Sequence, residues 1–149
     1  MERAKNMSVF FGARLNFDNI KKFGIGFASN TRDDLFQYLL KKEFSEIKIM
    51  DLGLVKRNEN GEIYDTFRNR IIFPIYNTDS QIVGFGGRII DKNTNLPKYL
   101  NSPDSPIFKK GNELFGIKYQ GENIKKKGFA MLMFVEEQAI LVAMLLNIY

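Results

Sequence analysis

Arg70-Ile71-Ile72-Phe73-Pro74-Ile75-Tyr76, Asn77-Thr78-Asp79-Ser80 and Gln81-Ile82-Val83-Gly84-Phe85-Gly86-Gly87-Arg88-Ile89-Ile90 read in succession as strand, turn and strand, and this reading decides the fold. Branched and aromatic residues fill both arms, and the polar residues between them have turn chemistry. So short a return makes the pair antiparallel. On the N-terminal side, Asn58-Glu59-Asn60-Gly61 is a second hairpin turn, with Asn60-Gly61 suited to positive φ. Before it, Asn16 or Asp18 can cap a short helix through Phe23, which Gly24 ends. Thr31-Arg32-Asp33-Asp34 resembles a capping box, after which Leu35, Tyr38 and Leu39 repeat at helical spacing toward Lys41-Lys42. Ser45 starts another short helix that carries Ile47, Met50 and Leu52 and closes at Gly53. The expected fold is α+β, with short N-terminal helices and a mainly antiparallel sheet.

On the C-terminal side, Leu96-Pro97-Lys98-Tyr99-Leu100-Asn101-Ser102-Pro103 reads as a stiff loop, because two prolines restrict the backbone and withhold donors. Ile107 to Ile117 should return to extended structure, and Lys125-Lys126-Lys127-Gly128 is a solvated connector. Phe129 to Val135 reads as a buried strand and Gln138 to Asn147 as a helix. Residues 1–13 lack periodicity and are expected to be a tail or linker, with one domain following over residues 14–128.

A chain of 149 residues that is 44% hydrophobic and 13% aromatic can bury one domain's core. The net charge of +5 points to an anionic partner, and its distribution sharpens the point. From Arg68 to Lys110 there are seven Lys or Arg against three Asp, which accounts for four of the five excess charges. With no cysteine and no histidine, disulfides, thiolate or imidazole zinc sites, and Ser-His or Cys-His catalysis are excluded. The lack of cysteine fits a reducing cytoplasm. No signal-peptide core follows Met1, and Glu136-Glu137-Gln138 interrupts the apolar stretch from Ala130 to Tyr149, so no membrane partner is expected.

Lys98, Tyr99 and Asn101 offer an ammonium, a stacking ring and an amide, a set suited to a nucleotide or a single strand. An ordered turn whose tyrosine packs and whose asparagine satisfies the backbone would look the same. Arg70 and Arg88 lie in neighbouring strands, where alternation can put both on one face as phosphate contacts. Either could instead pair with Asp65, Asp79 or Asp91. Gly84-Phe85-Gly86-Gly87-Arg88 lacks the GK[ST] ending of a phosphate loop. Its glycines are expected to permit a bulge or a close approach by nucleic acid.

Phe67 to Ile75, Val83 to Arg88, Pro97 to Pro103 and Ile107-Phe108-Lys109-Lys110-Gly111-Asn112-Glu113-Leu114-Phe115-Gly116 together resemble, in order and spacing, the catalytic core of the bacterial-type, DnaG-like DNA primases. Ile20 to Ala28 is similar to the segment that opens that core, and the likeness runs from about Leu15 to Glu136. The resemblance implies the N-terminal subdomain of that core. It also implies a truncated or divergent start of a Toprim-like α/β subdomain, its first strand and helix, over residues 129–149. The function implied is a share in making short RNA primers on single-stranded DNA. Lys98, Tyr99 and Asn101 would then bind the initiating nucleoside triphosphate, and Arg70, Arg88 and Lys110 would line the template groove. The replicative helicase would be a partner of a full-length parent at the replication fork.

Glu136 falls where the family has a catalytic glutamate in a Val-Glu-Gly series, but Glu137 replaces the glycine. The acidic Asp-x-Asp motif that completes the family's Mg2+ or Mn2+ site does not appear by Tyr149. No metal site is therefore expected within the chain alone, Glu136 being a ligand only in a longer parent, and the chain by itself is expected to bind rather than catalyse. A stand-alone, non-catalytic module for single-stranded nucleic acid is the alternative, and a non-enzymatic interaction domain is a third reading.

Overall fold

The computed structural model describes residues 17–111 apart from residue 92. The expectations for residues 1–13, the lysine connector, the strand at 129–135, Glu136 and the helix at 138–147 lie outside the described residues. Three short helices precede most of the strands: α1 Phe17–Phe23, α2 Asp34–Lys41 and α3 Glu46–Asp51, with β1 Gly26–Ala28 between the first two. The remaining strands are β2 Val55–Arg57, β3 Ile63–Asp65, β4 Arg70–Tyr76, β5 Ile82–Ile89 and β6 Tyr99–Asn101. One antiparallel sheet has the order β1-β4-β5-β6, and β2 and β3 form a separate hairpin. Among the described residues no helix is long and apolar enough to cross a membrane.

Local chemistry sets most element ends where the sequence places them. Gly24 at φ 64° and Gly53 at φ 65° follow α1 and α3 in the left-handed region. The Ser45 hydroxyl accepts from the Lys48 amide to start α3. In the β2–β3 turn the Asn58 side chain accepts from the amides of Asn60 and Glu62, and Gly61 alone takes the positive φ, at 82°.

The start of α2 differs from expectation. Asp33 makes no side-chain cap, and Thr31 bonds to Ser29 instead. The cap comes from β3, where the buried Asp65 carboxylate accepts the amides of Leu35 at 2.8 Å and Phe36 at 3.1 Å. This cross-link fixes which side of α2 faces inward. Phe36 is buried beside Ile49 and Val55, with Leu39 and Met50 packed against them, while Tyr38 and Ile47 stay exposed.

Two further differences concern the main sheet. Pro97 and Pro103 do not keep the segment between them irregular, since Tyr99–Asn101 pairs with β5 and both prolines lie just outside that ladder. Of the extended stretch expected from Ile107, the described part forms only an isolated bridge between Ser105 and Phe108. Ile71, Phe73, Ile75, Ile89, Phe67 and Phe108 are buried on and around the sheet.

Burial is the chief cause that raises the Asp65 carboxyl above the usual carboxylate range; its two amide bonds oppose the shift, and Asp33 and Asp34 add to it. The native state thus holds this proton more tightly than the unfolded chain does. The resulting stabilisation is complete below the unfolded value and is lost as pH rises through the native one. Urea unfolding across roughly pH 3 to 7 should show this descending contribution, and Asp65→Asn should remove it. Asp65→Ala, which strands two amides, should cost about 1–3 kcal/mol.

Candidate nucleic-acid interface

β5 alternates, so Gly84, Gly86 and Arg88 share one face, and Phe85, Gly87 and Ile89 share the other. Pairing with β6 sets Asn101 opposite Gly86 and Tyr99 opposite Arg88, which brings these three functional side chains to one face. The Lys98 ammonium lies 5.7 Å from the centre of the Tyr99 ring. Beside them Arg88, Ile89, Ile90, Asp91, Thr94 and Lys98 contribute to a cleft of about 350 Å³.

The Arg88 guanidinium is the least satisfied group in this cleft. Its Nε is buried with no hydrogen-bond partner, and Arg88 enters no ion pair among the described residues. Asp91, which lines the same cleft, forms no ion pair with it; one of its carboxylate oxygens accepts the Asn93 amide at 2.8 Å. An arginine left with a free donor in a partly desolvated cleft favours an anionic oxygen.

Arg70 does not stand beside it. Near the turn, Tyr76 pairs with Ile82, but from Ile75 onward the register shifts by one, through Ile75–Gly84 to Arg70–Ile89. This irregularity leaves Val83 unpaired and puts the two arginines on opposite faces, whereas the unshifted register would set them directly opposite each other. Only 4% of Arg70 is exposed. Its Nη2 donates to the Pro97 carbonyl at 2.9 Å, and its Nη1 to the carbonyls of Lys98 and Gly87, each at 3.3 Å. Burial lowers its pKa from the ordinary arginine value, and no carboxylate among the described residues pairs with it. The expectation of Arg70 as an open phosphate contact is therefore corrected: its donors are committed to the main chain.

The glycines are also explained differently. A Cβ on Gly84 would lie 3.2 Å from the Phe108 ring, and one on Gly87 would lie 2.7 Å from Phe67 and 3.0 Å from Arg70. The protein's own side chains occupy the space expected for nucleic acid, while the expected bulge falls at the start of the glycine run, where Val83 is left unpaired between Ile82 and Gly84. Lys110 is exposed in a segment that Asp104 ties together, accepting the Lys110 amide at 3.0 Å and pairing with the Lys109 ammonium at 3.7 Å. The bridge within this segment seats Phe108 over Gly84, two alternations along β5 from Arg88, about 13 Å. Sequence reading missed Thr94 and Leu96 as cleft residues. The Leu96 amide bonds to the Thr94 hydroxyl, and the run of turn residues from Asp91 to Asn95 was the available signal.

Among the described residues no group of three or more acidic residues could hold a metal ion. Asp65, their buried carboxylate, is already occupied by two amides. The described residues therefore do not fit the divalent metals implied by the resemblance, and Glu136 lies outside them.

The family model for the DNA primase catalytic core, N-terminal domain, matches residues 2–120. The chain is 36% identical over 120 residues to a DNA primase of Clostridium acetobutylicum, covering 80% of this chain and 20% of that protein. It is 45% identical over 116 residues to a DNA primase of Halalkalibacterium halodurans, covering 77% and 19%. The chain thus spans about one fifth of the length of these curated relatives. Among solved structures, the E. coli primase catalytic core is similar at 35% identity with a TM-score of 0.68, over 78% of this chain and 37% of that one. A DnaG primase catalytic domain bound to single-stranded DNA is similar at 33% identity with a TM-score of 0.69, over 78% and 37%.

Gly87→Ala should force Phe67 and Arg70 to shift, at a cost of about 1–3 kcal/mol. Gly111→Ala, where an added Cβ would meet nothing within 4 Å, should leave the urea midpoint nearly unchanged.

Proposed function

This chain belongs to the family of the DNA primase catalytic core, N-terminal domain, and from that premise we propose that it binds the single-stranded DNA template and the initiating nucleotide during RNA primer synthesis. The observation that carries the reading is Arg88, which keeps a buried Nε with no partner among the described residues, on the face it shares with Tyr99 and Asn101. Phosphate oxygens would pair with the charged Arg88 guanidinium, with Lys98 as a second cation beside it. Tyr99 offers a ring to a base, and Asn101 offers an amide that can donate and accept. Lys110 would extend the contact toward the Phe108 end of β5.

In this reading the chain supplies binding and orientation. Magnesium or manganese, when bound elsewhere in a longer enzyme, would stabilise the charge that develops in phosphoryl transfer. Glu136 is proposed as a contributor to that site only in such a parent, which would act in the cytoplasm beside the replicative helicase. The solved relative with bound single-stranded DNA supports the partner class proposed here.

Fluorescence anisotropy with a labelled single-stranded oligonucleotide tests the reading. Arg88→Ala and Lys98→Ala should each weaken binding and each lower the slope of log affinity against log salt by about 0.7, the value for one lost phosphate contact on a single strand. Unchanged slopes in both variants would falsify the phosphate-binding face.

A further inference from the structure

Arg70 presents a problem that the binding face does not solve. A cation this buried loses hydration, a cost that polar groups must offset by replacing the water. Here the replacements are three main-chain oxygens, on Gly87 of β5 and on the consecutive residues Pro97 and Lys98. The Lys98 carbonyl also accepts from the Ile89 amide at 2.9 Å, so one oxygen joins the guanidinium, the end of β5 and the approach to β6. With the carbonyls of Pro97 and Lys98 drawn inward, the Lys98 side chain is left exposed beside Tyr99.

We propose that Arg70 is a positioning residue of the binding face, acting from the opposite side of the sheet: it holds the 97–98 main chain against β5 and so sets Lys98 and Tyr99 beside Arg88 without touching the ligand. Its relevance to nucleic acid rests on the reading above. The planar fork matters because two nitrogens reach three oxygens at once, which an ammonium on a lysine stem does not reproduce. Gly87 is part of the device, since a side chain there would meet Arg70 Cδ at 3.0 Å. Holding the loop before ligand arrives lowers the ordering cost of binding.

Arg70→Met and Arg70→Lys in the full 149-residue chain test this by hydrogen exchange and by anisotropy with fluorescein-labelled oligodeoxythymidine. Exchange at Ile89 and residues 99–101 should quicken by roughly ten-fold, while β1 and the β2–β3 hairpin stay protected. Affinity should fall several-fold in the parent background and by a smaller factor once Lys98 is alanine, because the share of the loss that runs through the Lys98 side chain is then already gone while the Tyr99 share remains. Arg70→Lys keeps the charge and Arg70→Met keeps the stem without it, and both should lose the same local protection.

Unchanged exchange at those residues would overturn the proposal, as would loss of protection spread evenly over both sheets. So would a further slope decrease of about 0.7 in the Lys98→Ala background, which marks a direct phosphate contact by Arg70. If the unsubstituted chain fails to bind the oligonucleotide, the proposed function falls, while the exchange pattern still decides whether Arg70 is the clamp.

Discussion

Three carbonyl oxygens converge on the Arg70 guanidinium, and the arrangement of the cleft depends on that convergence. A short edge strand preceded by proline has few donors of its own with which to stay in place. Arg70 supplies donors from the neighbouring strand, passing its side chain over Gly87 to reach the loop. The cost of burying the charge is offset by main-chain dipoles rather than by a carboxylate. A carboxylate would neutralise the site, whereas carbonyls leave the positive charge within the sheet, close to a cleft that already favours anions.

The two faces of β5 consequently have separate tasks. On one, Arg70, Phe67 and Gly87 form a closed packing arrangement. On the other, Phe108 and Ser102 close the space over Gly84, Asn101 lies over Gly86, and Arg88 with Tyr99 ends the row at the cleft. Glycine is needed where another part of the chain crosses closely, so the glycine run is a record of internal packing. The polar groups that line the cleft itself lie beyond the last glycine.

Much of this was legible in the sequence, and what was not has definite physical causes. Gly24, Ser45, Gly53 and Asn58 act through neighbours within a few residues, as does Asn77, whose side-chain oxygen accepts the Asp79 and Gln81 amides, so both turns and the helix ends other than the start of α2 follow from local chemistry. The cap of α2 was missed because Asp65 is 30 residues from the Leu35 amide it holds. The pairing of Arg70 with Arg88 failed on parity: one unpaired residue at Val83 exchanges the faces, and composition does not reveal a single-residue shift. The glycines were correctly read as points of close approach, but the identity of the approaching group depends on long-range packing. Tyr99, Asn101 and Arg88 share one face because strand alternation and the β5–β6 register agree, and Lys98, just before β6, reaches them through its ammonium beside the Tyr99 ring.

The distant origin of the α2 cap also bears on the order in which the chain acquires structure. An eight-residue helix is too short to persist on its own in water. Its first amides find their acceptor only when the β2–β3 hairpin has closed and swung back across some 30 residues of chain. Helix and hairpin are thereby coupled into one cooperative unit, and loop-closure entropy enters the barrier for a segment that sequence alone would class as a fast, local folder.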